Sequence, residues 1–194
     1  MIKNKMKIII LGVALSATSL FADIASYEFN TKSLVAIEGG YNSVDYVYNK
    51  ANTPQSTDLE NVGVKIGAET RDFRVFLSTR YLFNSGEEYD YIITYGGEFQ
   101  YKFNAFEDLN FFIGLNAGMA DIRFSPSSGA YSSLRSSYIG GDLGTNVHLS
   151  DSVDLELGAR IMSMQESSVI DSIEYKFNNI ISGYASIILK WQMD

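Results

Sequence analysis

Residues 73–83 read FRVFLSTRYLF. Phe73, Val75, Leu77, Thr79, Tyr81 and Phe83 share one parity, and Ser78 and Arg80 fall on the other. Side chains of a β-strand alternate between its two faces, so this segment reads as a strand with one large, apolar, aromatic face and one polar face. Seven further segments beyond residue 33 repeat the pattern. They carry Val35, Ile37 and Tyr41; Val62, Val64 and Ile66; Tyr91, Ile93, Phe99 and Tyr101; Phe111, Ile113 and Leu115; Ile139, Leu143 and Val147; Leu155, Leu157 and Ile161; and Ile181, Ile187, Leu189 and Trp191.

The opposite face of these segments carries ten charges: Glu38, Lys65, Glu69, Arg80, Glu98, Lys102, Asp142, Glu156, Arg160 and Lys190. It is also the face of many small residues, among them Gly63, Gly96, Gly114, Gly118, Gly144 and Gly158. A soluble sandwich would bury the apolar face and leave the charged one wet. The small, charged face suits a narrow lumen, and the continuous aromatic face suits lipid. A Lys or Arg facing hydrocarbon near the bilayer midplane costs roughly 2–4 kcal/mol. Turning every strand over would therefore cost on the order of 10 kcal/mol or more, comparable with the stability of a whole domain.

The links sort by length. Long or intermediate ones follow the first, third, fifth and seventh segments (about 43–60, 84–88, 122–136 and 165–179), and short ones follow the second, fourth and sixth (about 70–72, 104–108 and 150–152). Transmembrane β-barrels combine short periplasmic turns with longer extracellular loops. Tyr41, Tyr81, Phe83, Tyr89 and Tyr91 then fall at the outer interface and Phe73, Tyr101, Phe103, Phe111 and Trp191 at the inner one, as aromatic girdles. The expected fold is all-β, an eight-stranded antiparallel up-and-down transmembrane β-barrel. One segment fits imperfectly: Asp121 and Arg123 continue the lipid-facing parity. Either that strand leaves the bilayer by about Ala120, or a bulge shifts its register.

Residues 1–22, MIKNKMKIIILGVALSATSLFA, place Lys3, Lys5 and Lys7 before a short apolar run and end at Ala22. This is the pattern of a cleavable signal peptide, leaving 23–194 as the barrel domain. The 194 residues include 15 Lys and Arg, 23 Asp and Glu, one His and no Cys, for a net charge of −8. The absence of Cys excludes disulfides, thiolate metal sites and a lipoprotein anchor. One histidine excludes a multi-histidine metal centre, and the acidic balance argues against a nucleic-acid partner. No cofactor is expected.

Residues 144–161, GTNVHLSDSVDLELGARI, resemble the next-to-last hairpin of small OmpA/OmpX-like outer-membrane barrels. Leu149, Ser150 and Asp151 match that family's turn, and Leu155, Leu157, Gly158 and Arg160 match its returning strand. The resemblance implies a barrel in the outer membrane, in contact with its lipids and lipopolysaccharide and inserted by the outer-membrane machinery. The family's last strand usually ends in an aromatic residue, whereas here Met193 and Asp194 follow Trp191. The peptidoglycan-binding domain of larger members is not expected.

His148-Leu149-Ser150 resembles the His-x-Ser pair that lipid A deacylases use with a Glu, for which Glu156 is the candidate. A base must activate the hydroxyl and an acid must orient the base. Yet the pair falls at a short periplasmic turn, away from the outer leaflet, and Ser150 reads as a turn residue beside Asp151. No enzymatic activity is expected. The ten inward charges, five of each sign, are expected to pair into a polar plug, since an unpaired buried charge is costly. The sharper alternative is an ion-selective path.

The loops are acidic and aromatic, with Asp45, Tyr46, Tyr48, Asn49, Lys50 and Pro54 in the first, Glu87, Glu88 and Asp90 in the second and Glu166, Asp171 and Glu174 in the fourth. None has calcium-loop spacing. Surface loops suit partner binding, with the ligand unknown. Lys50, Arg123, Arg135 and Lys176 are the bases available to lipopolysaccharide.

Overall fold

The computed structural model describes residues 31–48, 53–83, 89–124, 132–164, 167–170 and 173–192. The chain divides into two units, Met1–Asn30 and Thr31–Asp194. The first, which includes residues 1–22 read from the sequence as a signal peptide, lies outside the described residues. So do the loop residues Asn49, Lys50, Glu87, Glu88, Glu166 and Asp171.

Nine strands follow in order: β1 (Lys32–Tyr48), β2 (Thr53–Glu69), β3 (Phe73–Phe83), β4 (Tyr89–Asn104), β5 (Leu109–Phe124), β6 (Ser132–Ser150), β7 (Val153–Met164), β8 (Ser167–Ile170) and β9 (Ile173–Gln192). Each barrel strand pairs antiparallel with the next, and β1 pairs with β9 to close the sheet on itself. Eight strands make the barrel. The four-residue β8 is an extra hairpin arm that pairs only with the start of β9, in a stretch read from the sequence as loop. Closure removes the edges, so every barrel strand is paired on both sides.

The short turns are held locally. Thr70 N–H donates to Phe73 O (2.8 Å), and the Phe73 N–H donates to the Thr70 hydroxyl (3.2 Å). Ser152 N–H donates to Ser150 Oγ (3.3 Å).

The barrel is apolar outside. Val64, Leu77, Ile113, Leu115 and Leu157 are exposed, Leu77 at 66% and Leu115 at 68%. Glu98 and Arg160 are buried at 4% and 2%. The six outward positions of β3, tilted as barrel strands are, span about 25 Å, the height of an outer-membrane apolar band. Aromatic rings cluster at both rims of that band. Tyr81 lies 5.4 Å from Tyr91 and 5.9 Å from Phe83. Phe73 lies 5.3 Å from Tyr101, which meets Phe103 edge-on at 4.8 Å.

The strands run further outward than the alternation of the sequence suggested. β1 and β2 each hold 17 residues, and β5 and β6 reach Phe124 and Ser132. A membrane-crossing strand needs only about 9–11. In the outer part the polarity rule reverses. Val44, Leu59, Leu82, Ile92, Ile122, Met162 and Phe177 turn inward and pack with one another, all almost fully buried. Asp58, Glu60, Arg123, Ser133, Arg135 and Ser137 point outward, exposed. This explains Asp121 and Arg123. The β5–β6 register runs without a shift through Asp121↔Arg135, and Arg135 Nε donates to Asp121 Oδ1 at 2.6 Å. That strand has left the apolar band and carries an outward ion pair. The hydrogen bond to Asp121 raises the Arg135 guanidinium above its ordinary range.

Candidate functional site

The lumen is the concentration of chemistry in this chain. Its floor is set by small residues facing large ones across strands. Gly158 faces Tyr184 and Gly118 faces Tyr138. A Cβ on Gly158 would lie 2.5 Å from the Tyr184 ring, and one on Gly118 would lie 2.2 Å from the Tyr95 carbonyl oxygen. Tyrosine side chains thus occupy the space beside glycines inside the wall, where a larger residue would collide with them.

Above this lining the charges meet. Glu38 takes Lys65 (3.0 Å), Arg80 (2.6 Å) and Arg160 (3.0 Å). Arg80 and Arg160 also reach Glu98, Arg160 at 3.5 Å. Lys65 bridges onward to Glu156 at 2.8 Å. Tyr184 stacks against the Arg160 guanidinium at 4.2 Å. Around Glu38, then, two arginines from β3 and β7 share two carboxylates from β1 and β4, a square of alternating sign.

Towards the inner mouth the network continues through Arg74, which is fully buried. Arg74 contacts Glu69 (2.7 Å), Asp154 (3.1 Å) and Glu156 (3.2 Å). Lys102 caps Glu69 at 2.9 Å, and Lys190 caps Asp154 at 2.6 Å. Nine of the ten charges singled out from the sequence lie in one connected set of ion pairs.

Asp142 differs. Among the described residues no cation lies within 4.0 Å of it, and it accepts from Gln100 Nε2 (3.1 Å) and Asn116 Nδ2 (3.4 Å). Arg160 faces it across β6 and β7, but the guanidinium reaches past it to Glu38 and Glu98. Sequence reasoning also missed Arg74 and Asp154. Both have inward parity, next to Phe73–Val75 and Val153–Leu155, and both stand one residue inside a short turn. That position makes a charge read as part of the turn, although the alternation pointed it inward.

A second layer lies outward of the ions. The buried apolar cluster of Val44, Tyr46, Leu82, Ile122, Tyr138, Met162 and Phe177 packs inside the barrel at that level. Nothing in the sequence reading anticipated apolar side chains across the lumen.

The candidate acyl-transfer pair is not assembled. His148 Nδ1 lies 2.6 Å from Asp154 Oδ1, and Nε2 lies 3.1 Å from Asn110 Nδ2. Both ring nitrogens are therefore occupied. Ser150 serves its own turn, and Glu156 binds Lys65 and Arg74. Among the described residues no group of three or more His, Cys, Asp or Glu could hold a metal ion.

The fold has known counterparts. The crystal structure of Neisserial surface protein A superposes with a TM-score of 0.60 at 15% identity, covering 82% of this chain and 97% of that one. The N-terminal β-barrel domain of Pseudomonas aeruginosa OprF gives 0.57 at 10% identity, covering 84% and 98%. The outer membrane protein OprG from the same organism gives 0.52 at 12% identity, covering 83% and 97%. The fold is that of the small eight-stranded outer-membrane β-barrels. No protein-family model and no curated protein sequence matches the chain. The likeness is thus one of backbone fold, carried by strand number and closure, which survive when few residues are shared.

Proposed function

We propose that this chain is an integral protein of the bacterial outer membrane, with a closed lumen and a structural, surface-displaying role. The observation that carries this reading is the double filling of the lumen: a connected ionic layer lies beneath a packed apolar layer. Ions moving along the axis would have to break buried pairs and then cross a dry constriction. The lipid-facing band, with aromatic rings at both rims, supports contact with outer-membrane lipid, and the polar outer rim supports contact with lipopolysaccharide. The insertion machinery is the expected assembly partner. Planar-bilayer recording of the purified protein tests the closed lumen. No steady current is expected. A steady ion current whose selectivity changes in Glu98→Gln and Arg80→Gln would instead make the protein a narrow porin.

A second reading, adhesion through the loops, is favoured by one feature. The outer strand ends extend beyond the apolar band as a packed, polar-surfaced collar. Replacing residues 49–52 with Gly and Ser leaves that collar intact. Loss of binding to host cells or matrix, with the barrel still folded, would support adhesion.

A further inference from the structure

The single histidine of the chain closes a ring of hydrogen bonds at the inner mouth, and the direction of that ring is fixed by chemistry. A guanidinium only donates. Arg74 Nη1 donates to Asn146 Oδ1 at 2.8 Å, so the amide nitrogen of Asn146 is the end turned away from it. That nitrogen donates to Asn110 Oδ1 at 2.8 Å. Asn110 in turn presents its NH2 to His148 Nε2 at 3.1 Å, and Nε2 must be the bare, accepting nitrogen. The imidazole proton therefore sits on Nδ1 and is donated to Asp154 Oδ1 at 2.6 Å. Asp154 Oδ2 accepts from Arg74 Nη2 at 3.1 Å, and the ring is complete. It ties β3, β5, β6 and β7 together around the mouth.

We propose that His148 is a proton-sensitive latch of this mouth: its neutral Nδ1–H form holds the ring closed, and a proton on Nε2 opens it. A proton there sets an N–H against the Asn110 NH2. Turning Asn110 over sets two amide NH2 groups face to face, and turning Asn146 as well aims an NH2 at the Arg74 guanidinium. No rotation of the amides accommodates the added proton, so the chain from His148 to Arg74 must break.

The surrounding charges do not compensate. Asp154 faces the imidazole from β7, but it already contacts Arg74 and Lys190. Lys190 Nζ, from β9, lies 3.5 Å from Nδ1 and opposes a second positive charge. Glu69 stands one contact beyond Arg74, and Lys102 one beyond Glu69. Asp108 meets His148 only through its carbonyl, which accepts the His148 backbone N–H at 2.8 Å, and Asp151 lies in the adjoining turn. The His148 side chain is 27% exposed, so solvent protons at the mouth reach it. The latch stands whether or not the lumen beyond it conducts, so its test is separate from the conductance test.

Because the chain has one histidine, 15N-histidine labelling of the full chain refolded in detergent micelles gives a single unambiguous imidazole. At about pH 8, above the ordinary histidine range, Nδ1 should be protonated and Nε2 bare. On acidification, the side-chain amide signals of Asn110 and Asn146 should move with the same midpoint as His148. Asn110→Asp replaces the donor by an acceptor that can take the proton on Nε2, so Asn146 should no longer follow His148 on acidification. The proposal is overturned by an Nε2–H tautomer at that pH. It is equally overturned by amide signals that stay still while His148 titrates, or by an Asn146 signal that still follows His148 in Asn110→Asp. The tautomer and amide measurements need no variant and decide the matter even if Asn110→Asp does not refold.

Discussion

Two buried carboxylates of this lumen look alike in the sequence and differ in their surroundings, which gives a sharp comparison. Glu38 contacts three cations: Lys65 at 3.0 Å, Arg80 at 2.6 Å and Arg160 at 3.0 Å. Glu38→Gln removes the charge and turns an NH2 toward those cations. Lys65 retains Glu156, but Arg80 and Arg160 must then share Glu98 alone. Removing one partner of a buried ionic set costs about 3–5 kcal/mol, roughly two to three and a half orders of magnitude in the folded-to-unfolded ratio. Asp142→Asn removes a carboxylate of similar burial that is held only by two amide donors, and should cost about 1 kcal/mol or less. The assay is reversible urea unfolding in lipid vesicles, read by the fluorescence of Trp191, the single tryptophan, which faces outward. With a urea slope of about 2 kcal/mol/M, Glu38→Gln should lower the midpoint by roughly 1.5–2.5 M and Asp142→Asn by about 0.5 M or less. Equal losses in the two variants would refute the reasoning, because burial alone, without the partners, would then set the cost.

The outward face yields a companion test by the same assay: Leu115→Arg, in the apolar band, should cost about 2–4 kcal/mol, and Ser137→Arg, on the polar outer collar, about 1 kcal/mol or less. Similar costs at both positions would contradict the placement of the band. Gly158→Ala drives a methyl into the Tyr184 ring and should cost about 1–3 kcal/mol, whereas Gly183→Ala, outward with open space around it, should be near neutral. A double variant with Tyr184→Leu should recover part of the Gly158→Ala loss by vacating the contested space.

The two-residue period carried most of the fold. In β3 the inward positions are buried and the outward ones exposed along nearly the whole strand, as FRVFLSTRYLF alone suggests. What the period could not supply was where the bilayer stops. Val44 and Leu59 sit in stretches read as loop, because an inward apolar residue beside an outward Asp58 matches a soluble strand and breaks the membrane pattern. The lumen was legible as a set of charges and not as a set of contacts. Arg160 reaches across the barrel to β1, 122 residues away in sequence, and leaves its own cross-strand neighbour Asp142 to amides. Arg74 and Asp154 were hidden by adjacent turns. The partner of His148 proved to be Asp154 and not Glu156, a choice made by which side chain shares the height of the imidazole within the barrel.

The reversal of polarity at the outer rim also fixes how deep the molecule sits. If the barrel sank by one pair of residues, Glu60, Asp121 and Arg135 would be drawn into hydrocarbon. If it rose by as much, greasy flanks would stand in water. Both displacements are uphill, so the strands themselves act as a depth gauge for the barrel.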